Sequence, residues 1–343
     1  MSDDHLNSAT TDQAAANPTI EPAVLALLGG TPPHLAATQA MIPVTALIHA
    51  AERYQAAGRA ALNSTDSSPD WHQIQIEFPD PATAGRTVAT LFASTQRDAT
   101  AHNFFAGWWY VRKTPHWRLR FRAHPPHHEL PRFLTDTFDE LTSRDLISRW
   151  TEGIYEPETH VFGGPEGMAI AHHFFHSDSD HVLDYLHRAT QTTNPPKTLL
   201  GPREISLLLC TALLRAAGQD WHEQGDVWHR VALMRPLPQG ALSSRLPDLA
   251  EKVDRLLGLD TEQTPQLDDP HTRTWLAAAR NTGHALSHLA RTGTLHRGLR
   301  DVLAHHVIFH WNRLGLSPTT QAILSHTAAT TILNTAAPNV AHS

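Results

Sequence analysis

The chain has 343 residues, 41% of them apolar and 18% charged, enough to bury a large core and to make about two domains. Its 34 Asp and Glu outnumber 27 Lys and Arg for a balance of −7, which argues against a general nucleic-acid binder. One cysteine, Cys210, excludes an internal disulfide or a cysteine metal cluster; no signal segment opens the chain and no run approaches membrane-spanning length, so a soluble, cytoplasmic protein is expected.

Residues 1–20 are polar and rich in Ala, Thr and Asn, the composition of a disordered tail. Over 21–65 the pattern is helical and predicts a small N-terminal module. A short helix through Val24, Leu25, Leu27 and Leu28 stops at Gly29-Gly30, and a second starts near His34. A third runs from Thr45 to Leu62, with Leu47, Ile48, Ala51 and Tyr54 on one stripe. Asn63 to Pro69 reads as a linker. Trp71 to Phe78 alternates as a strand does, and a helix is expected over Ala82 to Thr95. Phe104 to Val111 and Trp117 to Ala123 read as strands either side of a hairpin-like Lys113-Thr114-Pro115-His116. A helix over Glu129 to Thr142 and a strand over Ile147 to Tyr155 follow. From Pro165 the pattern is helical, broken at Asn194-Pro195-Pro196, Pro236 to Pro238 and Thr264-Pro265. The sum is an α+β fold: a mixed sheet with packed helices and a largely helical C-terminal half, which together make a second domain over 70–343.

Three groups of residues carry chemistry. Alternation along Trp117-Arg118-Leu119-Arg120-Phe121-Arg122 puts three arginines on one strand face. Such a ladder needs acids elsewhere in the chain, a carboxylate or peptide ligand, or RNA to offset its repulsion. Glu156 and Glu158, in Tyr155-Glu156-Pro157-Glu158, share a face if extended; they suit acid–base work or pairing with those arginines. The Gly163-Gly164 that follows can open a helix over an anion, but no phosphate loop accompanies it. In the helix from Leu295 to Leu314, Leu299, Leu303, His306, His310 and Arg313 fall on one stripe about 80° wide, facing a core or a polar cleft. No carboxylate completes a metal motif there, His222-Glu223 lacks the second histidine of a zinc site, and the pairs His127-His128, His172-His173 and His305-His306 read as composition. Cys210, in an apolar run, reads as a buried thiol.

The order WWYVRK…WRLRFR, YEPE…FGG, Phe175-His176-Ser177-Asp178-Ser179 and His310-Trp311-Asn312-Arg313-Leu314-Gly315 resembles successive motifs of the lantibiotic dehydratase C-terminal domain and the thiopeptide-type bacteriocin biosynthesis proteins, over roughly 70–320. The segment from Val24 to Leu62 resembles the leading part of the latter. The resemblance implies one of two chemistries: elimination of glutamate from glutamylated Ser or Thr, or pyridine synthesis by formal [4+2] cycloaddition of two dehydroalanines with loss of water and leader peptide. Arg118 and Arg120 match the family's paired arginines and Glu158 its acid. Val161 stands where elimination domains carry an arginine, and Ile308 where they carry a histidine, which favours the pyridine synthase. The resemblance then implies acid–base roles for Tyr155, Glu158 and His310, with Arg118, Arg120, Arg122, Trp109, His306, Asn312 and Arg313 binding substrate. No metal and no cofactor are expected. The partner is a ribosomally synthesised precursor peptide with a leader and a dehydroalanine-containing core; neither nucleic acid nor membrane is, and a homodimer stays open. The alternatives are an elimination domain of a split dehydratase and a DNA-binding regulator.

Overall fold

A computed structural model describes residues 20–64, 71–81, 84–85, 87–89, 105–113, 116–124, 129–191, 200–238, 246–261, 267 and 269–334. The expected tail (but for Ile20), most of the helix expected over Ala82 to Thr95, the His127-His128 pair and the breaks at 194–196 and 264–265 lie outside them. Two compact units divide the chain, Met1–Pro69 and Asp70–Ser343.

The described residues of the first unit form three helices, α1 (Ile20–Leu28), α2 (Pro33–Gln39) and α3 (Val44–Ser64). Gly30, at φ +98°, ends α1 in the left-handed conformation that glycine adopts without strain. Ala23, Val24, Ala36, Ala37, Leu47 and Ala51 form its core. Of the stripe expected on α3, Leu47 and Ala51 are buried, whereas Ile48 and Tyr54 are 38% and 44% exposed. Two short, alanine-faced helices cover only a narrow strip of a 21-residue helix, so the stripe is half as wide as its apolar residues suggest. The helix also runs to Ser64, into the expected linker.

The second unit joins a four-stranded sheet to a helical body. The strands are β1 (Trp71–Glu77), β2 (Phe105–Lys113), β3 (His116–Ala123) and β4 (Arg149–Gly153), in the order β2-β3-β1-β4. The α+β class is as expected, but every pairing is antiparallel where a mixed sheet was expected. β2 and β3 are too close in sequence for the crossover that a parallel pair needs. Helix α4 (Leu130–Ser143) sits between β3 and β4 in the chain. Leu134 and Phe138 are buried on it, and Phe138 meets Phe121 and Trp150.

Among the described residues seven helices follow: α5 (Pro165–Gln191), α6 (Pro202–Ala216), α7 (Trp221–Met234), α8 (Leu246–Gly258), α9 (Pro270–Arg291), α10 (Leu299–Leu314) and α11 (Pro318–Asn334). Four of them open on proline, whose missing N–H costs nothing in a first turn. Asp220 and Glu223 close a capping box on α7, which gives His222-Glu223 a structural context, and Asp269 caps α9. Helices α5 and α10 both pack against β2. Cys210 is buried in α6 as expected, and burial pushes its thiol up. No helix among the described residues is long and apolar enough to cross a membrane.

Candidate active site

Strand alternation and register together build a polar face on the sheet. Arg118, Arg120 and Arg122 of β3 stand opposite Gln75, Gln73 and Trp71 of β1, and Val111, Trp109 and Gly107 of β2. Directly paired residues share a face, so this face is polar and aromatic, while Trp117, Leu119 and Phe121 line the apolar one with Ile74 and Ile76.

Arg120 is the centre of the polar face and only 4% exposed. Its guanidinium lies 4.1 Å from the Trp109 ring centre and 4.6 Å from that of Tyr155. Its Nε donates to Gln73 Oε1 at 3.0 Å, and Gln73 Nε2 donates to the Ile154 carbonyl at 3.1 Å. Nη1 is buried without a partner. Burial lowers the Arg120 pKa to about 10, so the group remains a cation at neutral pH.

Tyr155 follows β4 and reaches back over this face. Its hydroxyl is 2.7 Å from His172 Nε2 of α5, and both rings pack against Trp71 and Trp109. Burial raises the phenol well above its ordinary range. Burial, then the charges of Arg122 and Arg120, lowers His172 to about 4. A neutral phenol and a neutral imidazole therefore share one proton-transfer contact at pH 7. Glu158 lies close enough for its charge to act on both Arg120 and Tyr155, yet its Oε2 is buried with no hydrogen-bond partner. Glu156 is exposed.

The turn after Glu158 fixes this arrangement. Val161 and Phe162 donate their N–H groups to the Glu158 carbonyl, and Gly163 and Gly164 take φ +83° and +105°. A Cβ on either glycine would meet Leu295 or His296 at under 3 Å. Leu295 and His296 thus occupy the side-chain space of both positions, which admit glycine alone.

Arg118 is half-buried and Arg122 exposed, and neither makes an ion pair or hydrogen bond among the described residues.

His310 and Arg313 are not brought to Tyr155 and Glu158. They lie in the helical interior, where Asp178 of α5 accepts from Arg313 Nε at 2.6 Å and from Trp275 Nε1 at 2.8 Å, and meets His310 Nδ1 at 2.9 Å. Asp178, Arg313, His310 and Trp275 are all buried. Phe175 separates the clusters, its ring 4.7 Å from Trp109 on one side and 4.5 Å from the Arg313 guanidinium on the other. Arg313 and His310 turn inward because the stripe of α10 that carries them packs against α5, where Asp178 holds both. His306 is wholly buried among Phe162, Phe174 and Phe175, with neither ring nitrogen partnered. Asn312 accepts from Gln321 and lines a different cavity.

His172 and Gln73 belong to the polar face and were not singled out by sequence reasoning, and Asp178 of the interior cluster entered it only within a family motif. His172 read as composition, but it shares a helical stripe with Phe175, Ser179 and Val182, all buried, and that spacing marks an inward-facing polar group. Among the described residues no group of three His, Cys, Asp or Glu converges as for a metal.

Residues 71–332 match the family model for the C-terminal region of lantibiotic biosynthesis dehydratases. The chain belongs to this family. Similar solved folds include the tRNA-dependent lantibiotic dehydratase MibB from Microbispora sp. 107891, at 17% identity and TM-score 0.52 over 78% of this chain. The chain spans 29% of MibB's length. TsrL matches at 17% identity and TM-score 0.54, over 76% of this chain and 94% of that one. TbtD, a pyridine synthase from thiomuracin biosynthesis, matches at 14% identity and TM-score 0.51, over 77% and 98%. No protein of curated function matches the sequence. At these identities the likeness to the three structures is one of lantibiotic-dehydratase-like fold.

Proposed function

We propose that this family member is a thiopeptide pyridine synthase, joining two dehydroalanines of a ribosomal precursor peptide by formal [4+2] cycloaddition. The observation that carries the reading is a pair of unmet hydrogen-bonding groups beside Tyr155 and His172. Arg120 Nη1 lacks an acceptor and Glu158 Oε2 lacks a donor. A peptide amide offers both, its carbonyl to the arginine and its N–H to the carboxylate.

The reaction requires such an amide to become its iminol. The N–H proton leaves to Glu158, Arg120 stabilises charge at oxygen, and Tyr155 supplies the proton that oxygen takes up. The azadiene so formed closes on the second dehydroalanine through two carbon–carbon bonds. Loss of water and of the leader as its amide then gives the pyridine. Trp71, Trp109 and Tyr155 provide apolar walls that hold the two alkenes together, and positioning of this kind accounts for much of the acceleration available to a cycloaddition. Arg118 and Arg122 bind flanking backbone carbonyls. The near-complete overlap with TbtD's length and the presence of Val161 and Ile308 at the positions noted above support the same choice. The substrate peptide is cytoplasmic in this reading, and no cofactor takes part.

Incubation with a linear peptide bearing a leader and two dehydroalanines, followed by mass spectrometry, tests the proposal. Release of the leader with a macrocyclic product is expected. Loss of glutamate from a glutamylated peptide, without cyclisation of the first substrate, would establish an elimination domain instead.

A further inference from the structure

On the opposite side of the sheet from Arg120, Arg112 of β2 lines a cavity of about 500 Å³. This volume lies within the range of ligand sites. The cavity is walled by Phe78 and Trp117 from the sheet, by Asn312 of α10, and by Leu316, Pro318 and Gln321 where α11 begins. Among the described residues no acidic side chain lines it. The Arg112 guanidinium lies 4.4 Å from the Trp117 ring centre, packs on the backbone at Gly85 and Gly315, and bonds the Tyr110 hydroxyl. Among the described residues it makes no ion pair, and its Nε and Nη2 have no hydrogen-bond partner.

We infer that this cavity is a second binding site, selective for a carboxylate. Nε and Nη2 form the edge of a guanidinium that takes a carboxylate side-on through two parallel hydrogen bonds, and here both atoms are buried with that capacity unmet. Stacking on Trp117 fixes the plane of the group before a ligand arrives, so little side-chain entropy is lost on binding. The first turn of α11 places the positive end of a 17-residue helix on the same cavity. Gln321 is already satisfied by Asn312, Leu316 and Arg235, whereas Asn312 uses only its carbonyl oxygen, leaving its amide to donate to the second carboxylate oxygen or to a neighbouring group. The apolar walls favour a carboxylate carried on a hydrocarbon body over a small hydrated anion. A free organic acid and a Glu or Asp side chain of a bound peptide share that chemistry.

Indole N–H signals of the full-length, 15N-labelled protein give the readout, with the Trp117 signal assigned by Trp117→Phe. The probes are benzoate, benzamide, and the peptides acetyl-Leu-Glu-Leu-amide and acetyl-Leu-Gln-Leu-amide. A saturable shift at Trp117 is expected with benzoate or with the Glu peptide, and none with its neutral counterpart. Arg112→Gln and Asn312→Asp should each weaken the binding at least tenfold. Asn312→Asp keeps the shape and the Gln321 bond while placing a negative charge in the cavity, so it remains informative if Arg112→Gln fails to fold. Binding of the Glu peptide alone identifies a peptide-borne acid; binding of benzoate alone identifies a free acid. Equal binding of charged and neutral probes, no shift with either acid, or binding unchanged in folded Asn312→Asp overturns the inference. Because this assay needs no turnover, its result is independent of which reaction the polar face performs.

Discussion

Removing the Tyr155 hydroxyl leaves the aromatic wall and the stacking on Arg120 in place but takes away the proton beside the unmet groups of Arg120 and Glu158. Tyr155→Phe should therefore lower the turnover of the cyclisation about 10²-fold, the usual cost of losing a general acid or base, with KM nearly unchanged. His172→Gln should do similar damage, and the double variant should be little worse than either alone, because the two groups share one contact. Additive losses in a steady-state double-mutant cycle would separate them. The acid limb of kcat/KM should fall near pH 4 and not near 6.5, since burial and two arginines hold His172 at about 4. Arg120 was legible in the sequence because strand period and charge coincide on one face. His172 was not, since a histidine in a histidine-rich chain carries no signal until its helix is given a direction.

Between elements, one glycine and one carboxylate set the geometry. Gly153 of β4 stands opposite Gln73, and a Cβ there would lie 2.9 Å from Gln73 Nε2. Gly153→Ala should push Gln73 off Arg120 and reduce activity severalfold at an almost unchanged melting temperature; retained activity would show that Gln73 does not position the guanidinium. Asp178 has the larger task, tying α5 to Trp275 of α9 and to His310 and Arg313 of α10. Removing one partner of a buried charge pair costs about 3–5 kcal/mol, so Asp178→Asn should lower the melting temperature by on the order of 10 °C. A shift within 2 °C would mean that the Arg313 charge is neutralised by other means. The strands were readable from alternation with few errors, and so was the inward stripe of α10. What that stripe faces was not readable. Periodicity gives the side of a helix but not its neighbour, and the neighbour proved to be Asp178 in place of Tyr155 and Glu158.

The whole molecule should lose stability in acid earlier than its carboxylates alone would dictate. His172 and His306 sit in the fold with pKa values of about 4 and about 3, burial being the first cause in each case. In the unfolded chain both return to about 6.5. Above that value neither state carries the proton and their burial is harmless. As pH falls below it the unfolded chain binds two protons that the folded one refuses, and each contributes about 1.4 kcal/mol of destabilisation per pH unit. This continues until the folded groups titrate themselves. Asp178, held low by His310 and Arg313 against the opposing effect of burial, adds its loss only below the usual carboxylate range. The melting temperature should accordingly decline from about pH 6.5 downward, with net proton uptake on unfolding at pH 5. His306→Leu offers a direct check. It replaces a ring whose two nitrogens have no partner by an apolar group of similar size among Phe162, Phe174 and Phe175. The variant should melt higher than the parent at pH 5, with uptake reduced by about one proton, and the gap should narrow toward pH 8. A parent protein whose melting temperature is flat between pH 7.5 and 5 would mean that water reaches both histidines and lets them titrate as they do in the unfolded chain.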